Sequence, residues 1–193
     1  MPVFPLFVEL NGKKCVVIGG GEIAARKIEI LLEFNACVEV IAPEICSRIL
    51  QLSNEFECVI KKQKFDDKLL EDAFLVIAAT SDSVVNEEVY NVAMQKKILV
   101  NVVDDIGKCT FIFPSIVKRD DLVIGISTSG KYPALSKKIR EEIEKKLPED
   151  FGKLLKELSE YRESIKINVK DFEKRKKLLT QKLNELIKEV KLL

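Results

Sequence analysis

The chain contains no histidine and no tryptophan among its 193 residues. The absence of histidine removes the side chain that most often binds metals and that most often acts as an acid or base near neutral pH. Any proton transfer must therefore use a carboxylate, Lys, Tyr, Cys, Ser or water. The five cysteines are odd in number and widely spaced, with no Cys-x-x-Cys pair. This spacing argues against a disulfide framework and a permanent metal site, and it predicts buried thiols.

Long hydrophobic runs are also missing. No segment approaches the roughly 18 apolar residues of a membrane span, and the start Met1-Pro2-Val3-Phe4 lacks the basic residues of a signal peptide. We therefore expect a cytoplasmic protein without a membrane partner. The length and a hydrophobic content of 47% allow one full domain and a smaller appendage.

The chain has almost no excess of one charge sign, because its net charge is only +1. The two signs are nevertheless unevenly distributed along it. Residues 131–193 hold 18 Lys and Arg against 12 Asp and Glu, whereas residues 1–130 hold 14 against 19. A basic tail suits an anionic ligand, and a solvated helical face explains the same pattern. Nucleic-acid binding is disfavoured, since the lysines alternate with glutamates and few aromatic rings are present for stacking.

The most informative stretch is Val16-Val17-Ile18-Gly19-Gly20-Gly21-Glu22-Ile23-Ala24. It predicts a strand, a tight turn and the start of a helix, the arrangement that holds a dinucleotide pyrophosphate. We expect Gly19 to adopt the backbone angles of the turn, Gly21 to let the main chain approach the phosphates, and Ala24 to allow close packing. The helix N–H groups and dipole would favour an anion there. A purely structural turn is the alternative.

Strands and helices alternate over the first part of the chain. Apolar strands are predicted at residues 37–42, 58–60, 74–79 and 98–103, with helices at 23–34, 45–53 and 83–96. Near-continuous apolar strands that alternate with helices imply a parallel sheet covered on both faces. The predicted fold class is therefore α/β, and residues 1–113 are expected to form a doubly wound, Rossmann-like NAD-binding domain.

The pattern changes after this domain. Residues 111–114 and 122–127 predict two more strands, with residues 118–121 as the polar turn between them, and a helix follows at 134–146. Because residues 114–147 are too few for a core of their own, we interpret them as a small α+β dimerisation module. Residues 148–193 predict a helical domain with two apolar stripes, and Asn168 is a candidate cap for its second helix.

Ligands of a doubly wound sheet bind beyond the carboxyl ends of its strands. Strand two ends at Pro43 and Glu44, without an acidic residue at the usual ribose position and without an arginine for a 2′-phosphate, which favours NAD over NADP. Strand four ends in Thr80-Ser81-Asp82, where an N-cap and a ligand contact explain Ser81 or Asp82 equally well.

Two adjacent carboxylates, Asp104 and Asp105, follow the fifth strand. Adjacent residues of a strand point to opposite sides, so one of the two is expected to face the ligand. Without histidine, that carboxylate is the leading candidate for acid or base chemistry. An ordinary turn is the alternative interpretation of the pair.

A polar segment, Ser127-Thr128-Ser129-Gly130-Lys131, lies between a predicted strand and a predicted helix. Its hydroxyls, N–H groups and lysine suit a ligand that carries carboxylates. A capped turn would use the same residues.

Several motifs then occur together in a characteristic order. They are Pro5-Leu6-Phe7, Gly19-Gly20-Gly21-Glu22-Ile23-Ala24-Ala25-Arg26-Lys27, Ala42-Pro43, Ala78-Ala79-Thr80, Val85-Asn86, Asn101-Val102-Val103-Asp104, Phe113-Pro114-Ser115 and Ser127-Thr128-Ser129-Gly130. Together they resemble the precorrin-2 dehydrogenase family, which also forms the N-terminal module of sirohaem synthases. The resemblance covers residues 1–150 well and the helical tail only in size and character.

The resemblance implies an NAD-dependent removal of two hydrogens from precorrin-2, giving sirohydrochlorin, by a homodimer. It implies that Asp104 is the catalytic carboxylate. Some members of the family also insert ferrous iron; the iron would then be a substrate, and Asp104 would contact it during chelation. The methyltransferase module of some sirohaem synthases is expected to be absent.

The predicted binding residues fall into two sets. The set for the cofactor is Gly19, Gly21, Glu22, Ile23, Ala24, Pro43, Glu44, Thr80 and Val102, and the set for the tetrapyrrole is Ser127, Ser129 and Lys131. A tetrapyrrole with many carboxylates also suits the basic C-terminal region.

Two other function classes are alternatives to this prediction. A short-chain dehydrogenase needs Tyr-x-x-x-Lys, and none of the three tyrosines is followed by a lysine at that spacing. The other class is not enzymatic: an NAD-sensing regulatory module whose helical tail relays cofactor binding to a partner.

Overall fold

The computed structural model describes residues 2–190, with side chains described as far as residue 187. The described chain divides into two compact units. The first unit comprises Phe4–Phe113, and the second comprises the residues from Pro114 onward together with Pro2 and Val3.

The first unit contains a five-stranded parallel sheet with the strand order β3-β2-β1-β4-β5. The strands are β1 (Lys14–Ile18), β2 (Cys37–Ile41), β3 (Cys58–Lys61), β4 (Leu75–Ala78) and β5 (Leu99–Val102). The helices are α1 (Glu22–Glu33), α2 (Ser47–Glu55) and α3 (Ser83–Lys96), with short 3-10 helices at Asp67–Leu70 and Ile106–Lys108. The predicted doubly wound α/β fold is confirmed.

The central strand β1 contributes to two hydrophobic cores because successive strand residues point to opposite faces of the sheet. Cys15 and Val17 pack in the cluster that includes the buried residues of α1 and α2. Val16 and Ile18 pack in the cluster that includes the buried residues of α3. Helices on both faces explain why the two central strands, β1 from Cys15 onward and β4, are apolar and do not alternate with polar residues.

The strand order creates a crevice at one edge of the sheet. From β1 the chain proceeds to β2 and β3 on one side, and it then returns to β4 and β5 on the other side of β1. The connections therefore diverge at the carboxyl ends of β1 and β4, which are paired through Ile18 and Ala78. A doubly wound sheet binds its ligands at this point.

The second unit begins with an antiparallel hairpin of β6 (Ser115–Arg119) and β7 (Leu122–Ile126). Three helices follow, namely α4 (Pro133–Lys146), α5 (Phe151–Asn168) and α6 (Phe172–Val190). The hairpin packs on α4, where Ser115 Oγ lies 3.3 Å from Ser136 Oγ. No helix within residues 2–190 is both long enough and apolar enough to cross a membrane.

One predicted strand is wrong. Residues 111–114 are not a strand; the strand starts after Pro114, and the hairpin turn contains only Asp120 and Asp121. Phe111 and Phe113 instead pack against the core of the first unit, with their ring centroids 5.4 Å apart. The burial of two phenyl rings outweighs their strand propensity, which tertiary packing often overrides.

The predicted cap of the second tail helix is also wrong. Asn168 is the last residue of α5, and its side-chain amide donates to the Ser164 carbonyl at 2.9 Å. Asp171 performs the capping, since its carboxylate accepts from the Lys174 N–H at 2.6 Å. Asp and Asn are both good N-caps, so composition alone does not separate them.

The prediction of buried thiols holds for Cys15 but not for Cys37, the first residue of β2, which is exposed. Burial, with a smaller contribution from Cys37, raises the pKa of Cys15 to about 12. All five cysteines are free thiols.

The hairpin of the second unit meets the start of α5 at a glycine. A Cβ atom on Gly152 would overlap the Asp120 carboxylate and would lie 2.6 Å from the Cβ of Asp120. We expect Gly152→Ala to lower the free energy of unfolding by about 1–3 kcal/mol through overpacking, as measured by denaturant unfolding. In an Asp120→Gly background the obstructing side chain is gone, so the same substitution should cost clearly less. An equal cost in both backgrounds would contradict the proposed contact.

Candidate functional site

The turn after β1 requires glycine at two successive positions. Gly19 has a φ of +131°, a conformation that side chains rarely allow, and a Cβ on it would overlap the Ala79 carbonyl oxygen. A Cβ on Gly20 would overlap the carbonyl oxygen of Glu44 and would lie 2.9 Å from its carbonyl carbon. The turn is therefore held in backbone contact with the end of β4 on one side and with the loop after β2 on the other.

Gly21 differs from the two preceding glycines because its surroundings are open. It is the N-cap of α1 with an ordinary φ of −91°, and a Cβ on it would meet no atom within 4 Å. Glycine has no side chain with which to cap the first-turn N–H groups of α1, so these donors and the positive end of the helix dipole suit an external anion. The open space and the donors fit the diphosphate of a dinucleotide.

The first turn of α1 presents different side chains to the sheet and to solvent. Ala24 and Ala25 are fully buried against the core, so the predicted close packing at Ala24 is present. Ile23 is 48% exposed, and Glu22 is exposed beside it. These two residues are therefore accessible to a ligand on the open side of the turn.

The loop after β2 lies against the glycine turn. Pro43 and Glu44 are exposed on this loop, and the Cys46 N–H donates to the Gly20 carbonyl at 2.8 Å. Together with the contact between Gly20 and Glu44, this hydrogen bond fixes the loop beside the start of α1. The structure therefore brings together the four residues predicted at the cofactor from α1 and this loop.

An arginine near this loop was not among the residues predicted from the sequence. Arg48, near the start of α2, donates to the Glu29 carboxylate on α1, and its guanidinium lies 4.0 Å from the Glu22 carboxylate. Arg48 lies on α2, so the expectation that no arginine follows strand two directly is not contradicted. Its position only seven residues beyond β2 was the available signal, but its pairing across two helices was not readable from the sequence.

The loop after β4 is fixed by its own polar side chains. The Thr80 hydroxyl lies 2.8 Å from Asn86 Oδ1, and the Asn86 amide donates to the Thr80 carbonyl at 3.0 Å. Asp82 caps α3 by accepting from the Val84 N–H at 2.9 Å. The N-cap interpretation of Asp82 is confirmed, and Thr80 shapes the loop beside the glycine turn.

The two carboxylates after β5 have different environments. Asp105 accepts from the Gly107 N–H at 3.1 Å and pairs with Lys108 at 3.3 Å, so its carboxylate stabilises the short 3-10 helix that follows. Asp104 is exposed and adopts a left-handed backbone with a φ of +63°. Both residues lie beyond the end of β5 at Val102, in the turn that the sequence offered as the alternative, so strand alternation does not separate them. The Asp105 side chain stabilises the turn, and Asp104 is the more exposed of the two.

Val102 lies directly before this turn. Its side chain is only 4% exposed, and its carbonyl accepts from the Asp105 N–H at 3.3 Å and from the Cys109 thiol at 3.3 Å. The Val102 side chain therefore packs in the core, and its carbonyl holds the turn that follows β5.

Lys27 is a second residue that the sequence interpretation missed, although it lies within one of the motifs. Its ammonium lies 4.3 Å from the centroid of the Phe113 ring, a distance suited to a cation–π contact. Burial lowers the pKa of Lys27 from its ordinary value, and interactions with Cys109 and Asp104 partly offset this effect. The Asp104 carboxylate therefore lies near enough to favour the charged form of Lys27.

The serines and the lysine predicted to bind the substrate lie in the second unit. The Ser127 hydroxyl accepts from the Ser129 N–H at 3.0 Å, and the Ser129 hydroxyl accepts from the Val3 N–H at 3.1 Å. Lys131 is exposed just before α4. The hydroxyls of this segment hold the turn, although no side chain caps α4, and Lys131 is exposed to solvent.

Two families match the chain. One described as "Putative NAD(P)-binding" matches residues 6–115, and one described as "Sirohaem biosynthesis protein central" matches residues 119–146. The chain is 41% identical to the siroheme synthase of Photorhabdus laumondii over 184 residues, which cover 95% of this chain and 39% of the relative. It is 42% identical to siroheme synthase 1 of Klebsiella pneumoniae over 177 residues, which cover 92% and 38%.

A solved structure extends this similarity to the whole fold. The structure of "SirC, precorrin-2 dehydrogenase" matches with a TM-score of 0.76 and 25% identity, covering 99% of this chain and 100% of that one. The chain belongs to the family described as "Putative NAD(P)-binding", whose model covers more than half of it. This member of the family spans about two fifths of the length of the siroheme synthases that it matches.

Within residues 2–187, no group of three or more His, Cys, Asp or Glu side chains is arranged to hold a metal ion.

Gly20 and Gly21 should respond differently to the same added methyl group. Gly20→Ala should destabilise the fold by about 1–3 kcal/mol, because the methyl group meets backbone that cannot rotate away. Gly21→Ala should cost about 1 kcal/mol or less as an N-cap change, yet it should weaken NAD binding at least tenfold. Thermal unfolding and calorimetric titration measure the two effects. Normal NAD affinity in a folded Gly21→Ala variant would refute the diphosphate site.

Proposed function

We propose that the chain catalyses the NAD-dependent dehydrogenation of precorrin-2 to sirohydrochlorin, a step of sirohaem biosynthesis. The observation that carries this proposal is the shared location of two features at the carboxyl edge of one sheet. The open glycine turn follows β1, and the exposed Asp104 follows β5. The glycine turn supplies a place for a dinucleotide diphosphate, and Asp104 supplies a carboxylate for proton transfer.

The residues proposed to bind the cofactor surround the glycine turn. They are Gly19, Gly21, Glu22, Ile23 and Ala24, with Pro43, Glu44, Thr80 and Val102 at the ends of the neighbouring strands. Gly21 and the first-turn N–H groups of α1 face the diphosphate, while the loop after β2 faces the adenosine. NAD supplies the hydride acceptor when it is bound. The pairing of Arg48 with Glu29 and Glu22 supports the preference for NAD over NADP.

Asp104 is proposed as the catalytic residue. Loss of two hydrogens releases a proton in addition to the transferred hydride, and one carboxylate is sufficient to accept it. The left-handed backbone at Asp104 turns the chain immediately after β5, and Asp105 secures that turn through Gly107 and Lys108. Asp105 is thereby a positioning residue for Asp104.

The second unit is proposed to provide substrate contacts and the dimer interface. Ser127, Ser129 and Lys131 would hold carboxylates of the tetrapyrrole through hydroxyl, N–H and ammonium groups. We retain residues 114–147 as a dimerisation module and residues 148–193 as a helical domain. The five free thiols fit a reducing cytoplasm.

The carboxylates after β5 allow a matched test of the catalytic role. Asparagine tolerates a left-handed backbone and also caps turns, so Asp104→Asn and Asp105→Asn should both fold. Asp104→Asn should lower turnover by about 10²–10⁴-fold, the usual contribution of general base catalysis, with NAD affinity unchanged within about twofold. Asp105→Asn should retain most of the activity. The measurement is anaerobic conversion of precorrin-2 followed by absorption, and full activity of Asp104→Asn would refute the assignment.

The same assay separates the proposed enzyme from a cofactor sensor. Precorrin-2 and NAD are incubated with the protein without oxygen, and ferrous iron is added afterwards. We expect the absorption change of oxidation in the first stage, and a second change only if the protein also inserts iron as a substrate. NAD binding without any change in the tetrapyrrole would favour the NAD-sensing module.

The dimer can be tested on α4, whose outer face exposes apolar side chains. Tyr132, Leu135 and Ile139 are 64%, 48% and 39% exposed. Because a stripe of this kind is more stable when a partner covers it, Ile139→Glu should shift the protein from dimer to monomer. Light scattering coupled to size-exclusion chromatography measures the change. Lys137→Glu, on another side of the helix, is the control, and a monomeric wild type would contradict the proposal.

A further inference from the structure

The loop after β2 and the start of α2 carry an unusual arrangement of charge. In Rossmann-like sites an acidic residue near this loop binds the adenosine ribose of NAD, whereas a nearby arginine accommodates the 2′-phosphate of NADP. The chain has an arginine, Arg48, in the region where it would favour NADP. Its neighbours, however, are carboxylates.

Arg48 is engaged on α1 by two glutamates. Its guanidinium donates to the Glu29 carboxylate and lies 4.0 Å from the Glu22 carboxylate. The Arg48 side chain is 37% exposed and that of Glu29 is 42% exposed, so the pair is at the surface and accessible to a ligand. Carboxylates beside a guanidinium offset its positive charge and occupy some of its N–H donors, so it attracts a phosphate less strongly.

The net charge of the surrounding residues also opposes a second phosphate. The Glu22 and Glu29 carboxylates carry two negative charges against the positive charge of the Arg48 guanidinium that they approach. Like charges at close range disfavour a wrong ligand, which is a common origin of specificity. A ribose hydroxyl can donate to a carboxylate here, whereas a 2′-phosphate cannot.

We propose that Glu29 is a specificity-determining residue that withholds Arg48 from a 2′-phosphate and thereby sets the preference of this site for NAD over NADP. The inference rests on the proposed cofactor site at the glycine turn. Glu29 acts through Arg48 and does not itself contact the cofactor, since it lies seven residues, or about 10 Å, along the helix from Glu22.

Glu29 is a better position for the test than Glu22. Glu22 is part of the proposed cofactor site, so its replacement would change the binding of both dinucleotides. Exposed ion pairs contribute about 0–1 kcal/mol to stability, so Glu29→Gln should fold normally. The freed guanidinium can then form charge-assisted hydrogen bonds with a phosphate.

The experiment is a calorimetric titration of the full chain with NAD and with NADP at low salt. We expect Glu29→Gln to bind NADP about tenfold more tightly than the wild type, with NAD affinity unchanged within about twofold. The double variant Glu29→Gln/Arg48→Gln should return NADP affinity to the wild-type value. Glu33→Gln, which removes the same charge from an exposed site one turn further along α1, should leave both affinities unchanged.

The possible failures are distinguishable. If the wild type binds no dinucleotide, the proposed function and this inference both fall. If the wild type binds NAD but Glu29→Gln gains no affinity for NADP, only this inference is overturned. A gain that persists in the double variant, or that also occurs in Glu33→Gln, would show general charge removal and would overturn it as well. Equal affinity of the wild type for NAD and NADP would also overturn this inference.

Discussion

The close backbone contacts of Gly19 and Gly20 are the constraint on which the first unit depends. Gly19 lies against the end of β4, and Gly20 lies against the loop after β2, so no side chain fits at either position. These contacts join three strand ends around the start of α1. The same contacts leave Gly21 open toward solvent. The fold therefore depends on Gly19 and Gly20, and the proposed cofactor site depends on the open position of Gly21 beside them.

Two basic residues of the first unit are paired with carboxylates. Arg48 is bound by Glu29, and Lys61 by Glu39 on the neighbouring strand. Charges that are paired on the protein in this way are less available to a ligand. Asp104 differs from them, since it is exposed at the end of β5 and acts on Lys27 only through its field.

The second unit is built with a much smaller core than the first. Its buried apolar residues, Val117, Leu147, Leu154 and Leu186, are few, and α4 retains an exposed apolar stripe. A small core gives limited stability on its own, so a second copy of the chain would add the burial that the unit lacks. The small core therefore supports the proposal that this unit dimerises.

The sequence by itself determined the α/β class, the glycine turn and the strand ends that carry candidate residues. These features are local, because hydrophobic periodicity and the need for glycine at a positive φ are encoded within a few residues. The tertiary structure decided which features bring distant residues together. It assigned the turn to Asp105 and the exposed position to Asp104, placed Lys27 over Phe113, and moved the hairpin strand beyond Pro114. It also paired Arg48 with Glu29, which lies 19 residues away on another helix. Such contacts depend on how helices and strands pack, and no local pattern specifies that packing.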